Sequence, residues 1–263
     1  MHDTDAKLLD IRNLTVRFKN PEVLAINNIS FHVKPRETFA IIGESGSGKT
    51  SVALSIANLF NKKIASLSGN ILFDGVDLLS IPEKNMASYR GHKIAYIFQE
   101  PGLALNPSLT IGYQIRESMK QKSKHAVMEL MDDVGLTNKR FYYAYPHELS
   151  GGMQQRAMIA IAIASHPKLL IADEPTTSLD VTIQKQIITL LKNIKKEREL
   201  AILLITHNFG IINGFADRAM VMFNGEIAEI NSTGNIFKNS KSPYTTKLLN
   251  CVPELGNPGK LDL

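Results

Sequence analysis

The chain has 263 residues, of which 44% are hydrophobic and 21% charged, a balance typical of globular proteins that argues against extended disorder. This length fits one large domain, or one domain with a substantial insertion, whose core needs no disulfides or metals to hold it together. The 30 Lys and Arg residues exceed the 25 Asp and Glu residues by five, so the charge neither requires nor excludes an anionic partner.

The sequence predicts neither a secretory signal nor a membrane span. The first ten residues, MHDTDAKLLD, lack a basic segment followed by an apolar one. The longest apolar runs, such as residues 201–205, fall well short of the ~18 residues of a spanning helix. The single cysteine, Cys251, cannot form an intrachain disulfide and fits a reducing compartment. We therefore expect a soluble protein of the cytoplasm.

Short apolar runs predict the strands of a sheet. A helical pattern separates several of them, notably residues 49–60 after Gly48 and residues 181–198 after Asp180 as N-cap. Strands that alternate with helices indicate an α/β fold with a mainly parallel sheet. The predicted strands, in chain order, are 8–13, 29–33, 38–42, 70–73, 94–98, 169–172, 202–206, 219–223 and, after the turn Asn224-Gly225, 226–230.

Residues from about 100 to 166 have a different pattern, without a clear strand. They predict several helices, including 111–120, 126–134 and 151–165, which suggests a helical subdomain inserted into the sheet domain. Beyond about residue 235 the chain becomes polar, with one short predicted helix at 244–250.

A phosphate-binding loop is predicted at residues 43–50, which read G-E-S-G-S-G-K-T and match G-x-x-x-x-G-K-[ST] in full. Glycines let successive backbone N–H groups point at phosphate oxygens, and the following helix adds the positive end of its dipole. Lys49 is placed to reach the β- and γ-phosphates, and the Thr50 hydroxyl to ligate Mg²⁺. The predicted ATP-binding residues of this loop are Gly43, Glu44, Ser45, Gly46, Ser47, Gly48, Lys49 and Thr50.

Two carboxylates follow the apolar run that ends at Ala172. A buried strand that ends in two acids places Asp173 near the metal and Glu174 toward the γ-phosphate. We predict that Asp173 holds Mg²⁺, directly or through water. Glu174 would polarise the attacking water as general base.

The stretch Leu149-Ser150-Gly151-Gly152-Met153-Gln154-Gln155-Arg156 resembles the LSGGQ signature of the ATP-binding cassette family, with Met153 at the usual glutamine. Ser150, Gly151 and Gly152 would form a second anion-binding helix start. One chain needs only one such site per γ-phosphate, so the loop is expected to bind the ATP of a neighbouring subunit. The fold that the resemblance implies is a P-loop NTPase (RecA-like) core with an N-terminal antiparallel β region and an inserted α-helical subdomain.

Further motifs of the family follow in order, and the resemblance assigns their roles. Gln99 resembles the glutamine that senses Mg²⁺ and the γ-phosphate, and His207 the switch histidine that contacts that phosphate. Residues 178–180 resemble the loop that reaches across a dimer. Phe18 stands where an aromatic usually stacks on adenine. Catalytic roles are therefore expected for Glu174, His207, Lys49 and Gln99, and Mg²⁺ ligation for Thr50, Gln99 and Asp173.

Three stretches resemble the branch that serves peptide and nickel importers. Residues 98–107 resemble its Q-D-P…S-L-N-P stretch, 173–180 its DEPTTALD, and 242–249 the H-P-Y-T…L-L segment that opens its C-terminal extension. Many members continue into a cysteine cluster that binds an iron–sulfur centre. With Cys251 alone, no such cluster is expected here. The resemblance therefore does not decide between importers of peptides, of nickel and of metallophores.

The resemblance implies a division of labour along the chain. Residues 1–98 and 167–235 would form the nucleotide-binding core, 99–166 the helical subdomain, and 236–263 a short C-terminal extension. The implied partners are a second ATPase subunit in a heterodimer, two membrane permeases and, indirectly, a solute-binding protein, which places the chain at the cytoplasmic face of the inner membrane.

Two other classes of nucleotide-binding protein fit less well. Cassette ATPases that act on DNA or the ribosome use longer layouts than 263 residues, and no nucleic acid is expected as partner; the basic stretch 192–198 reads as a solvated helix face. A P-loop GTPase would need an [NT]-K-x-D motif, which the sequence lacks.

Overall fold

The computed structural model describes residues 6–120, 122–177 and 179–250. They fall into two compact units, the first made of Met1–Leu79 and Leu204–Leu263 and the second of Ser80–Leu203. The strands are β1 (Leu9–Lys19), β2 (Glu22–Val33), β3 (Thr38–Ile42), β4 (Ala65–Phe73), β5 (Val76–Asp77), β6 (Ile94–Ile97), β7 (Leu169–Asp173), β8 (Ala201–Thr206), β9 (Arg218–Phe223) and β10 (Glu226–Ser232).

The helices occupy most of the remaining described chain, and two 3₁₀ turns lie at Lys139–Tyr142 and Pro146–Glu148. The helices are α1 (Lys49–Ile56), α2 (Glu83–Met86), α3 (Pro101–Ala104), α4 (Ile111–Ser118), α5 (Lys124–Asp133), α6 (Gly151–Ile163), α7 (Val181–Arg198), α8 (Phe209–Ile212), α9 (Thr233–Asn239) and α10 (Pro243–Asn250).

The first unit contains an antiparallel sheet in the order β2-β1-β4-β5, which confirms the predicted N-terminal antiparallel region. β1 is longer than the predicted strand 8–13. At Asn13, with φ 51°, the register between β1 and β2 shifts, and pairing then resumes as far as Lys19. The irregularity breaks the apolar alternation, so the sequence pattern ended the strand too early.

The first unit also carries parallel pairing. β3 pairs with β9 in parallel, and β9 returns through Asn224-Gly225 into antiparallel β10. Both turn residues have positive φ, 47° and 78°, as a two-residue hairpin of type I′ requires. The predicted hairpin is therefore confirmed.

In the second unit β6 pairs with β7 in parallel, with Ile94 opposite Leu169. All residues of β3, β7 and β8 are buried, as expected for near-continuous apolar strands in α/β proteins. The predicted α/β class with a mainly parallel sheet is confirmed.

The described part of 100–166 contains helices and 3₁₀ turns but no strand, as the pattern predicts. Helices α4, α5 and α6 begin after Thr110, Ser123 and Ser150, whose hydroxyls accept hydrogen bonds from N–H groups three residues on. Such caps satisfy N–H groups that the first helical turn leaves unpaired.

Two helix predictions need correction. The helix after the phosphate loop ends at Ile56 rather than at residue 60, because Asn58 adopts φ 49° and the Leu59 N–H bonds back to the Leu54 carbonyl. The sequence pattern does not predict helix α9, because its mostly polar residues do not repeat apolar side chains at helical spacing. Within the described residues, the structure contains no helix with the length and hydropathy needed to span a bilayer.

Candidate active site

The phosphate loop lies in the first unit, between buried β3 and α1, as predicted. The Lys49 ammonium donates hydrogen bonds to the carbonyl oxygens of Gly43 at 2.8 Å and Glu44 at 2.6 Å. Lys49 is only 5% exposed. The loop backbone thus holds its cation in place at the start of α1.

Close backbone packing explains two of the glycines in this loop. A Cβ on Gly43 would lie 2.4 Å from the Met222 carbonyl oxygen, and one on Gly48 would lie 2.6 Å from the Ala25 carbonyl oxygen. Gly48 also has φ 100°, which L side chains rarely adopt. Larger residues at these two positions would displace the loop.

Another feature of the loop fits an anionic ligand. The Ser47 Oγ is buried without a hydrogen-bond partner among the described residues. A buried hydroxyl donor beside an ammonium group suits the oxygens of a phosphate chain. The loop residues present therefore fit a nucleoside triphosphate.

The first unit also contains Phe18 and His207. Phe18 lies near the end of β1, where its ring meets Phe60 edge to face at 5.5 Å. His207 directly follows β8 and is exposed. Adenine stacking by Phe18 and the γ-phosphate contact of His207 stay predictions.

The second unit brings three predicted residues to the ends of two paired strands. Asp173 ends β7 and is 4% exposed, and Glu174 follows it at φ 46°. The Glu174 carboxylate accepts hydrogen bonds from Thr177 Oγ1 at 2.7 Å and from Gln99 Nε2 at 3.4 Å. Gln99 and Glu174, two of the residues predicted to be catalytic, are therefore in direct contact.

Tyr96 is a site residue that the sequence reasoning missed. Its hydroxyl donates a hydrogen bond of 2.8 Å to the Asp173 carboxylate. Burial raises the pKa of the Tyr96 phenol, and the negative charge of Asp173 raises it further, so the hydroxyl stays a donor at neutral pH. The sequence carries no signal for this contact, because the pairing of β6 with β7 cannot be read from the residues of either strand.

The signature residues lie at the start of α6 in the second unit. Ser150 caps the helix by accepting from the Met153 N–H at 3.4 Å. A Cβ on Gly152 would lie 2.9 Å from Ile183 Cγ2 of α7, so α6 and α7 pack closely at this point. Ser178 lies outside the described residues, and Leu179 and Asp180 lead into α7, which Asp180 caps through the Ile183 N–H at 2.9 Å.

The donor set also fits magnesium. Thr50, Gln99 and Asp173 offer hydroxyl, amide and carboxylate oxygens, the hard ligands that Mg²⁺ prefers. The described residues contain no group of three or more His, Cys, Asp or Glu side chains placed to bind a metal. Thr50, Gln99 and Asp173 each have the chemistry of a Mg²⁺ ligand, and Mg²⁺ ligation by them stays a prediction.

Comparison with known proteins identifies the family. The family model described as ABC transporter matches residues 26–177. The chain belongs to the ABC transporter family. The resemblance of residues 149–156 to the signature of the ATP-binding cassette family is therefore confirmed. As a member of the ABC transporter family, this chain is an ATPase cassette.

Its curated relatives match over nearly the whole chain. A Brucella melitensis protein named "putative peptide import ATP-binding protein" is 43% identical over 95% of this chain and 78% of the relative. The oligopeptide transport ATP-binding protein OppD of Bacillus subtilis is 42% identical over 98% of this chain and 75% of the relative.

Solved structures of ABC cassettes share the fold. A dimeric, post-hydrolysis structure of an ATP-binding cassette with ADP and Pi bound matches with a TM-score of 0.76 and 26% sequence identity. The match covers 86% of this chain and 98% of that one. The fold class predicted from the sequence is confirmed by this likeness.

Proposed function

We propose that this chain is the ATP-hydrolysing subunit of an ABC importer that takes up peptides through separate membrane permeases. The observation that carries the proposal is the phosphate loop with Lys49 held at 5% exposure on two loop carbonyls. The names of relatives at 42–43% identity support peptides as the cargo.

Each step of hydrolysis is assigned to a group of this chain. The loop N–H groups and Lys49 bind the phosphates, and Thr50, Gln99 and Asp173 would hold Mg²⁺. When bound, Mg²⁺ neutralises charge on the β- and γ-phosphate oxygens. Glu174 accepts a proton from the attacking water, which makes the water a stronger nucleophile. Gln99 and Thr177 orient the Glu174 carboxylate for that transfer, and His207 contacts the γ-phosphate.

The signature loop is proposed to act on a second subunit. Ser150, Gly151 and Gly152 start a helix of 13 residues, whose N–H groups suit the γ-phosphate held by the neighbour. The related cassette with ADP and Pi is dimeric, which supports this arrangement. We propose a heterodimer of ATPase subunits with two permeases and a solute-binding protein, at the cytoplasmic face of the membrane.

The branch also serves nickel and metal-chelate importers, which remain the second candidate for the cargo. Residues 98–107 resemble a stretch of both kinds of importer, whereas the names of the curated relatives favour peptides. We propose three parts of the chain: a nucleotide-binding core of residues 1–98 and 167–235, a helical subdomain of residues 99–166, and a C-terminal extension of residues 236–263.

The first test measures ATP binding by the full-length chain with a fluorescent ATP analogue and Mg²⁺. Lys49→Ala should weaken binding, because it removes the ammonium charge that would contact the β- and γ-phosphates. Lys63→Ala, an exposed lysine beyond α1, is the matched control and should bind normally. Unchanged binding by Lys49→Ala would reject the phosphate loop as the ATP site.

The second test addresses transport and cargo. The chain is co-purified with candidate permeases and their solute-binding protein, and ATP hydrolysis is measured with peptides and with nickel chelates. Stimulation by peptides alone supports the proposal, and stimulation by nickel chelates alone selects the second candidate. A chain that never associates with a permease contradicts the importer role.

A further inference from the structure

The segment Ser242-Pro243-Tyr244-Thr245 is a motif for which the proposed function leaves no role. The structure ties it to β10 through Glu229, which is 8% exposed. The Glu229 carboxylate accepts hydrogen bonds from Ser240 Oγ at 3.0 Å and from the N–H groups of Lys241 at 3.1 Å and Ser242 at 3.2 Å. These bonds fix the turn that leads into α10.

The electrostatics of Glu229 agree with this anchoring role. Burial acts to raise the pKa of the Glu229 carboxyl, but hydrogen bonds from Lys241, Ser242 and Ser240 lower it overall. The anchor is therefore a carboxylate at neutral pH, and charge-assisted bonds of this kind are among the stronger ones in proteins.

From this fixed turn, Tyr244 reaches the phosphate loop. Its ring packs on Phe223, the last residue of β9, with centroids 4.3 Å apart. Phe223 leads into the turn Asn224-Gly225, and the Gly225 N–H donates a hydrogen bond to the Ser47 carbonyl of the phosphate loop at 3.1 Å. The Tyr244 hydroxyl is buried without a hydrogen-bond partner among the described residues. Burial raises the pKa of the Tyr244 phenol, and the charge of Glu44 adds to the rise.

Glu44 is the second residue of the phosphate loop, and its carbonyl holds two functional groups. It accepts hydrogen bonds from the Lys49 ammonium at 2.6 Å and from the Ser47 N–H at 3.2 Å. A shift of the Glu44 backbone would therefore move the lysine and part of the phosphate-binding backbone together.

We propose that helix α10 positions the phosphate loop and that Tyr244 is the positioning residue through which it acts. The inference rests on the proposed role of residues 43–50 as the ATP site. By packing on Phe223, Tyr244 supports the turn that bonds to Ser47 and so reduces the reorganisation that the loop would otherwise undergo on binding. The motif shared with peptide and nickel importers thereby becomes part of the nucleotide site.

The experiment compares variants of the full-length chain by their dissociation constants for MgATP and MgADP and by their melting temperatures. Tyr244→Ala removes the ring and hydroxyl and should weaken binding of both nucleotides about tenfold. Tyr244→Phe keeps the ring contact and should weaken it by only about threefold. Lys247→Ala, an exposed residue of the same helix, is the matched control and should bind like wild type.

Glu229→Gln tests the anchor at a distance from the loop and should weaken binding about threefold. In an assembled, active complex the KM for ATP should rise in Tyr244→Ala while kcat at saturating ATP stays unchanged. A role limited to folding would instead lower the melting temperature and leave the KM unchanged.

Wild-type affinity in both Tyr244→Phe and Tyr244→Ala would overturn the proposal. Equal weakening in Lys247→Ala would also overturn it, because the effect would then be general to the helix. If Tyr244→Ala does not fold, Tyr244→Phe and Glu229→Gln decide by the same criteria. A wild-type chain that binds no MgATP would instead refute the ATP site itself, and the inference with it.

Discussion

Replacing Tyr96 by phenylalanine removes one oxygen atom that touches a predicted magnesium ligand. The lost hydrogen bond is 2.8 Å long and ends on a carboxylate that is 4% exposed. Hydrogen bonds to charged groups contribute about 1.5–3 kcal/mol. Without nucleotide, Tyr96→Phe should therefore destabilise the chain by about 1.5–3 kcal/mol, roughly a 3–12 °C lower melting temperature at this size.

The effect should shrink when MgATP is present at saturation. If Asp173 then also interacts with the cation, loss of the phenol leaves the carboxylate with another partner. The assay is thermal and urea unfolding of wild type and Tyr96→Phe, each with and without MgATP. Tyr143→Phe is the control, because the Tyr143 hydroxyl bonds to Lys124 at an exposed site, where such pairs contribute little.

Equal stability of Tyr96→Phe and Tyr143→Phe without nucleotide would refute the stabilising role of the Tyr96 hydrogen bond. A loss that is just as large with MgATP would refute the idea that Asp173 exchanges one partner for another. The concentration of Mg²⁺ that gives half-maximal hydrolysis provides a second readout, and it should change in Tyr96→Phe but not in Tyr143→Phe.

Three further predictions follow from the site and from the C-terminal anchor. Glu174→Gln should keep ATP binding but lower hydrolysis by about 10²–10⁴-fold. A nucleotide-bound dimer should then accumulate and be detected by gel filtration, whereas normal hydrolysis would make Glu174 an ordinary strand-end acid. Ser150→Arg should leave ATP binding by the isolated chain intact and reduce turnover of the assembled complex. Ser150→Asn preserves the helix cap, so it should bind ATP equally well and lose less turnover. Because hydrogen bonds hold the pKa of Glu229 below its ordinary value of 4.5, its stabilising effect is complete above that value and is lost as the pH falls through the folded-state pKa. The stability difference between wild type and Glu229→Gln should therefore narrow in acid, and a difference independent of pH would show that the carboxylate charge is not what anchors the turn.

The phosphate loop and the signature loop could be predicted because each is encoded by neighbouring residues. Eight consecutive residues specify the loop around Lys49, and the buried run before Asp173 specifies a strand that ends in acids. Both lie where the pattern places them. Local chemistry of this kind depends on backbone geometry within one turn, which sequence spacing determines directly.

The contacts that support these residues could not be predicted, because they join distant parts of the chain. The partner of Tyr96 is 77 residues away in sequence, and nothing in the run Ile94–Ile97 reveals which strand lies beside it. Tyr244 packs on Phe223 because a buried glutamate in β10 fixes the turn before α10. The end of β1 could not be predicted for a related reason, since the irregularity at Asn13 depends on the strand that pairs with it rather than on its neighbours in sequence.

The backbone at Glu174 shows how function and stability oppose each other at this site. A residue with a side chain at φ 46° bears a cost of roughly 1–2 kcal/mol that glycine would avoid. The turn keeps this conformation through the Thr177 N–H, which bonds to the Glu174 carbonyl at 3.1 Å. The same turn points the carboxylate at Thr177 Oγ1 and Gln99. Glycine would relieve the strain but would remove the carboxylate that we propose as general base, so a glutamate in this conformation agrees with the proposed catalytic role.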